Sequence, residues 1–217
     1  MHRTVGVLMA VTLLACAQPD HVVADTGQEP RAAAADGHQH DLVVDWIPFS
    51  EAEIHRHALA IVRGRVLEQR SGTHRTYATR PEDGYAELPL TTSTLEVEAS
   101  LRSRSGASGG ETGATIQVVQ LGGRYPDGCW VEPTDQRLLR VGDEVVVFLK
   151  PAGMVPNGMD SPAEARAIIG GQQGMVPIRE GVVDPIPATV FARYAGRPVR
   201  ELEADVEQLA VSSWEEP

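Results

Sequence analysis

Several short β-patterned segments, glycine-rich turns between them and a helical C-terminus predict a mainly β domain whose strands close, wholly or partly, into a small barrel. The clearest segment is Thr91 to Leu101, where Leu95, Val97, Ala99 and Leu101 alternate with Glu96, Glu98 and Ser100. A period of two places one face on a core and the other in water. The second is Asp143 to Lys150, where Val145, Val146, Val147, Phe148 and Leu149 run without a break, as expected of a strand covered on both faces. The third is the spacing of Val199, Leu202, Val206 and Leu209, which marks one face of a helix.

The chain has 217 residues, enough for one domain with a real core. Aromatic residues make up 5%, so aliphatic side chains must supply most of the packing. The formal net charge of -11 opposes nonspecific nucleic-acid binding, which requires Lys and Arg to neutralise phosphates. No nucleic-acid partner is expected.

Met1-His2-Arg3 is a short basic start, and Val5 to Leu14 is an apolar stretch. A bilayer span needs about twenty apolar residues, so this stretch fits a secretory leader instead. It ends in Leu13-Leu14-Ala15-Cys16, which resembles the lipobox of bacterial lipoproteins. The resemblance implies a diacylglycerol on the Cys16 sulfur, cleavage before it, and an extracytoplasmic protein anchored to the cell membrane or outer membrane. The alternative is an ordinary secretory signal with a chance cysteine. Beyond the lipid no cofactor is expected. With Cys16 lipidated, Cys129 is alone and no internal disulfide can form.

Three regions follow: a leader over 1–15, a tether over 16–45, and a barrel domain with one or two C-terminal helices over 46–213. The tether lacks apolar periodicity, and 25 to 30 flexible residues would span roughly 30 Å. Ser50 and Glu53 form a capping-box pattern for a short helix over Glu51 to His57. A strand follows from Leu59 to Glu68. Gln69 to Leu90 reads as a polar connection broken by Pro81, Gly84 and Pro89. Arg102 to Gly113 reads as a loop joining Thr91–Leu101 to a strand from Ala114 to Leu121. Beyond Asp143–Lys150, a strand is expected over Met175 to Arg179, with Gly181 turning the chain into Val182-Val183. A helical segment is expected from Pro187 to Ala195, stopped by Gly196.

Four segments carry a second resemblance: Ala60-Ile61-Val62-Arg63-Gly64-Arg65-Val66, Thr94-Leu95-Glu96-Val97-Glu98, Val141 to Leu149, and Gly171-Gln172-Gln173-Gly174. Together they resemble a group of secreted bacterial proteins with an OB-like barrel similar to the tissue inhibitors of metalloproteinases. The resemblance spans 58–184. It implies an OB-like barrel and, as an alternative function, modulation of a metalloproteinase. Those inhibitors chelate zinc through a free N-terminal cysteine braced by disulfides; here that residue would be the lipidated Cys16, with no disulfides available.

Candidate chemistry is sparse. Gly106-Ala107-Ser108-Gly109-Gly110 matches a nucleophile elbow in letters, but an elbow needs a helix directly after the serine and a strand pattern follows instead. His38, His40, His55 and His57 form two His-x-His pairs, which could offer imidazoles to zinc or copper. A helix over Glu51 to His57 would make His55 and His57 diverge. Cys129 would be a nucleophile only beside a histidine. Glu96 and Glu98 belong to a solvent face and serve solubility. Arg63, Arg65, Arg70, Arg75 and Arg80 form an early basic cluster, and Glu201, Glu203, Asp205 and Glu207 an acidic C-terminal one. The basic cluster would meet an anionic partner, or else the acidic helix packs against it. No catalytic set emerges, so the expectation is a non-catalytic, lipid-anchored envelope protein. Its barrel would bind a protein or another ligand; a metal-binding lipoprotein is the remaining alternative.

Overall fold

The computed structural model describes residues 11–12, 39–44, 48–77, 85–103, 110–125, 128–133, 136–152, 165–184 and 189–212. In chain order the elements are β1 (Val11–Thr12), β2 (Gln39–Val44), α1 (Glu51–His57), β3 (Ala60–Tyr77), β4 (Tyr85–Ser103), β5 (Thr115–Leu121), β6 (Gly123–Arg124), β7 (Trp130–Pro133), β8 (Glu144–Pro151), β9 (Arg166–Ile168), β10 (Met175–Arg179), β11 (Val182–Val183) and α2 (Val199–Ser212).

β3, β4 and β5 form an antiparallel meander. β5 then runs parallel to β9, β9 antiparallel to β8, and β8 antiparallel to β3. These five strands close into an OB-like barrel, the class the sequence predicts. Past the Gly171–Gly174 turn, the chain rejoins β8 as β10 and leaves through the β10–β11 hairpin.

β8 explains the two-sided core. Val145, Val147 and Leu149 point into the barrel, among Val62, Val66, Leu95, Val97, Ile116 and Val118. Val146 and Phe148 point outward, under a layer made of α1, the 3-10 turn Ala192–Tyr194 and α2. α1 keeps its predicted bounds and its capping box: Glu53 N–H donates to the Ser50 hydroxyl, and Glu53 Oε2 accepts from Ser50 N–H at 2.8 Å. Those bonds from Ser50 hold the Glu53 carboxyl below the usual range. On α2, Val199, Leu202 and Val206 are buried, while Leu209, the last of the stripe, is 39% exposed. Among the described residues no helix is long and apolar enough to cross a membrane.

Four expectations need correction. β3 runs nine residues past Glu68, and β4 begins at Tyr85, so most of the expected polar connection is a two-stranded arm. Pro89 sits inside β4 because its carbonyl accepts from Gly122 N–H at 2.8 Å. A strand residue's N–H and C=O lie on the same side, so the missing N–H faces Gly122 and the ladder to β3 survives. β4 also extends to Ser103, shortening the expected loop. The segment ending at Ala195 is a 3-10 turn within irregular chain, too short to sustain a regular helix. Finally, Gln39–Val44 of the expected tether pairs as β2 in parallel with Trp130–Pro133, whose edge is otherwise open on that side. β1, inside the expected leader, pairs with Val43 and Val44.

The mouth of the barrel is closed by residues 136–140, which form no strand. Leu138 and Leu139 are 2% and 1% exposed, and Leu139 belongs to the interior cluster. Side-chain amides stitch this plug down. Gln120 accepts from Leu139 N–H at 2.9 Å and donates to the Arg137 carbonyl at 3.2 Å. Gln69 donates to the Leu139 carbonyl, and Gln172 accepts from Arg137 N–H at 3.2 Å.

Candidate functional site

The histidine pairs do not converge in the described chain. His38 lies outside the described residues, and His40 belongs to β2. His55 is 5% exposed and faces the barrel, whereas His57 is exposed on the same helix. Their divergence follows from the helical turn, which separates neighbours two apart to different faces. Among the described residues no group of three or more His, Cys, Asp or Glu side chains is placed to hold a metal ion. Burial is the main reason that the His55 pKa falls to about 4, with the Arg102 and Arg193 guanidiniums adding to it.

Cys129 is a buried thiol in no disulfide, packed with Leu88, Leu121 and Val131. Of the elbow-like motif only Gly110 is among the described residues, and the element that follows is β5.

The arginine cluster is largely neutralised from within. Arg63 bonds Glu203 of α2 at 2.8 Å and lies 3.6 Å from Glu98 and 3.9 Å from Glu144. Arg65 reaches Glu98 at 3.2 Å and Glu144 at 3.6 Å, and Arg70 pairs with Glu68 at 2.8 Å. The acidic helix therefore does pack against Arg63. Glu98 is one hub of this network, and Glu96 alone keeps the expected solvent position. The Arg75 side chain and all of Arg80 lie outside the described residues.

The Gly171-Gln172-Gln173-Gly174 segment, part of the sequence resemblance, is a tie point. Gln172 holds the plug at Arg137, while Gln173 accepts from Phe49 N–H at 2.8 Å and fixes the entry to α1. A Cβ on Gly174 would come within 2.5 Å of the Ile169 carbonyl, so the turn is built for close backbone packing. A polar cleft of about 220 Å³ lies beside β8 and β10, but its walls carry the pairs Arg137–Asp143 at 2.9 Å and Arg65–Glu144.

With the interior filled and the mouth plugged among the described residues, the outer surface of the barrel is what is left open. The helical layer covers β3, β8, β10 and the Leu101 end of β4. The outer face formed by β5 and the part of β4 paired with it lies on another side. Register and alternation place Thr92, Thr94 and Glu96 on it opposite Val119, Gln117 and Thr115. Thr92, Thr94 and Gln117 are half-buried, Val119 is buried, and Glu96 and Thr115 are exposed. The arm of β3 and β4 rises from one end of this face.

No known protein family and no curated protein matches the chain.

The face offers hydroxyls, one amide and one carboxylate, with no nucleophile–base pair among these residues. Such a set can hydrogen-bond a partner surface but supplies no activated group for bond cleavage. Sequence reading missed this face because Thr92 and Thr94 read as the neutral side of a strand; only the closed topology shows which side the helices leave uncovered.

Proposed function

We propose that this chain is a non-catalytic envelope protein, lipid-anchored through Cys16, whose OB-like barrel binds a protein partner on the outer β4–β5 face. The observation that carries the binding reading is the packing of the barrel. Aliphatic side chains fill its interior and Leu139 closes its mouth, so recognition falls to the outer surface. The anchor rests on the lipobox resemblance. A strand at Gln39–Val44 would shorten the tether to about two dozen residues, an r.m.s. reach of roughly 25 Å. That length holds the domain close to the membrane while leaving the barrel free to turn.

Two experiments test the proposal. In the full-length chain, Cys16→Ser is expected to move the protein from the membrane fraction to a soluble extracytoplasmic one; unchanged membrane retention would remove the anchor. A photo-crosslinking residue at Thr94 or Gln117 is expected to capture a discrete protein adduct in cells, and one at Glu207 of α2 is not. Equal capture at all three positions, or none at Thr94 and Gln117, would defeat the assignment of the face.

A further inference from the structure

Beneath α1 lies a titratable group that the binding face does not use. The His55 ring is packed edge-on against Phe148, with centroids 5.0 Å apart, and against Phe191 at 6.3 Å. Phe148 and Phe191 stack on each other at 4.7 Å. Both imidazole nitrogens are buried and neither has a hydrogen-bond partner. A neutral ring tolerates that setting because its apolar edges fill it. An imidazolium carries two obligatory donors and a charge, and finds neither water nor a free acceptor there.

The charges around it favour the neutral form. On α1 itself, Glu51 stands 3.8 Å from His55 Nε2, and Arg56 and His57 follow in sequence on the exposed side. From β4, Arg102 donates to the His55 backbone carbonyl at 3.0 Å. From the 3-10 turn, Arg193 already engages Glu51 at 2.8 Å. From α2, Asp205 is held by the Tyr194 hydroxyl at 2.6 Å and lies 3.5 Å from Arg193. β8 contributes only Phe148. Two guanidiniums thus act on the ring, and the two nearby carboxylates, Glu51 and Asp205, are both already engaged by Arg193. The lowered His55 pKa, about 4, agrees with this geometry.

What α1 covers makes the site mechanical. The helix is seven residues long and packs through Ile54 onto the outer cluster, which is distinct from the cluster inside the barrel. We propose that His55 is an acid-sensitive latch: when its ring takes up a proton, α1 lifts from the barrel and bares Phe148 and Phe191 while the closed strands persist. The sign follows from linkage. An unfolded or lifted segment has an ordinary histidine that binds its proton near pH 6.5, whereas the packed ring resists until about pH 4. Closure is therefore fully favoured above pH 6.5 and weakens as pH falls through that interval.

Hydrogen exchange on the full-length mature protein between pH 7 and pH 3.5 tests the latch, with exchange rates corrected for intrinsic pH dependence. Peptides over 48–58 are expected to lose protection at least tenfold more than those over 145–149, together with a rise in binding of a hydrophobic dye. His55→Leu is expected to lower the midpoint of that loss by about one pH unit or more, and His57→Gln to leave it in place. Should His55→Leu not fold, NMR titration of the unaltered protein decides: a His55 midpoint at least one unit below that of His57 supports the latch. Equal midpoints overturn it, as does simultaneous loss of protection in α1 and β8.

Discussion

Gly64→Val is expected to destabilise the fold by about 4 kcal/mol. Gly64 sits on β3 between Val97 of β4 and Val145 of β8, in the inward row with Val62 and Val66. A register shift between Arg63 and Gly64 tightens the coiling of the β3–β4 pair just there. A Cβ at this position would overlap the Glu96 carbonyl oxygen and come within 3.0 Å of Leu95 Cδ2. The first obstacle is backbone, held in the ladder, so it cannot move aside as a flexible side chain would. Valine adds two methyl groups to an interior already filled by aliphatic neighbours. Overpacking of a tight core costs about 1–3 kcal/mol, and forcing apart a closed ladder adds to it. A total of about 4 kcal/mol would remove most of the margin of a domain at the lower end of the usual range of about 5–15 kcal/mol. Urea denaturation followed by circular dichroism measures it; a Gly64→Val protein within 1 kcal/mol of the parent would contradict this account of barrel closure.

The same position shows how far sequence reading goes. Gly64 lies within the strand expected from Leu59 to Glu68, and that placement holds. The reason for glycine there is a contact with Glu96, thirty-two residues away, which no local pattern encodes. Local signals served well where one element determines its own form: the capping box of Ser50 and Glu53, the two-sided run of β8, and the β10–β11 hairpin turned at Gly181. They failed where pairing is non-local. Gln69 to Tyr77 has the polarity of a loop, yet it forms a strand because β4 supplies a partner for its backbone. Residues 136–140 have no strand or helix signature, and their fixed path depends on amides from Gln69, Gln120 and Gln172. The burial of His55 had a faint signal. It shares a helix face with neither His57 nor Arg56, and it follows Ile54 with Ala58 one turn on, an arrangement that reads as an inward stripe only once the helix is granted. The proposed binding face had less still, because whether Thr94 is covered depends on where α1 and α2 settle.

Leu139→Ala is expected to destabilise the fold by about 3–4 kcal/mol, in the middle of the range for a buried leucine. Cost at such a site depends on whether the surroundings can relax into the space left behind. Here the plug backbone is bonded on both sides of the residue, at Arg137 by Gln172 and at Leu139 by Gln120. Those bonds hold the segment at its present height over Leu95, Val147 and their neighbours, so the cavity stays open. Shifting the plug inward would break the bonds and leave buried amide groups without partners, at about 1–3 kcal/mol each. Either route is expensive, and the two alternatives bracket the same value. Val141→Ala is the matched control: that side chain is 62% exposed and its truncation should change stability by less than about 0.5 kcal/mol. Chemical denaturation of both variants reads the difference directly. If Leu139→Ala costs less than 1 kcal/mol, residues 136–140 lie loosely over the barrel, and the argument that recognition must use the outer β4–β5 face loses its main support.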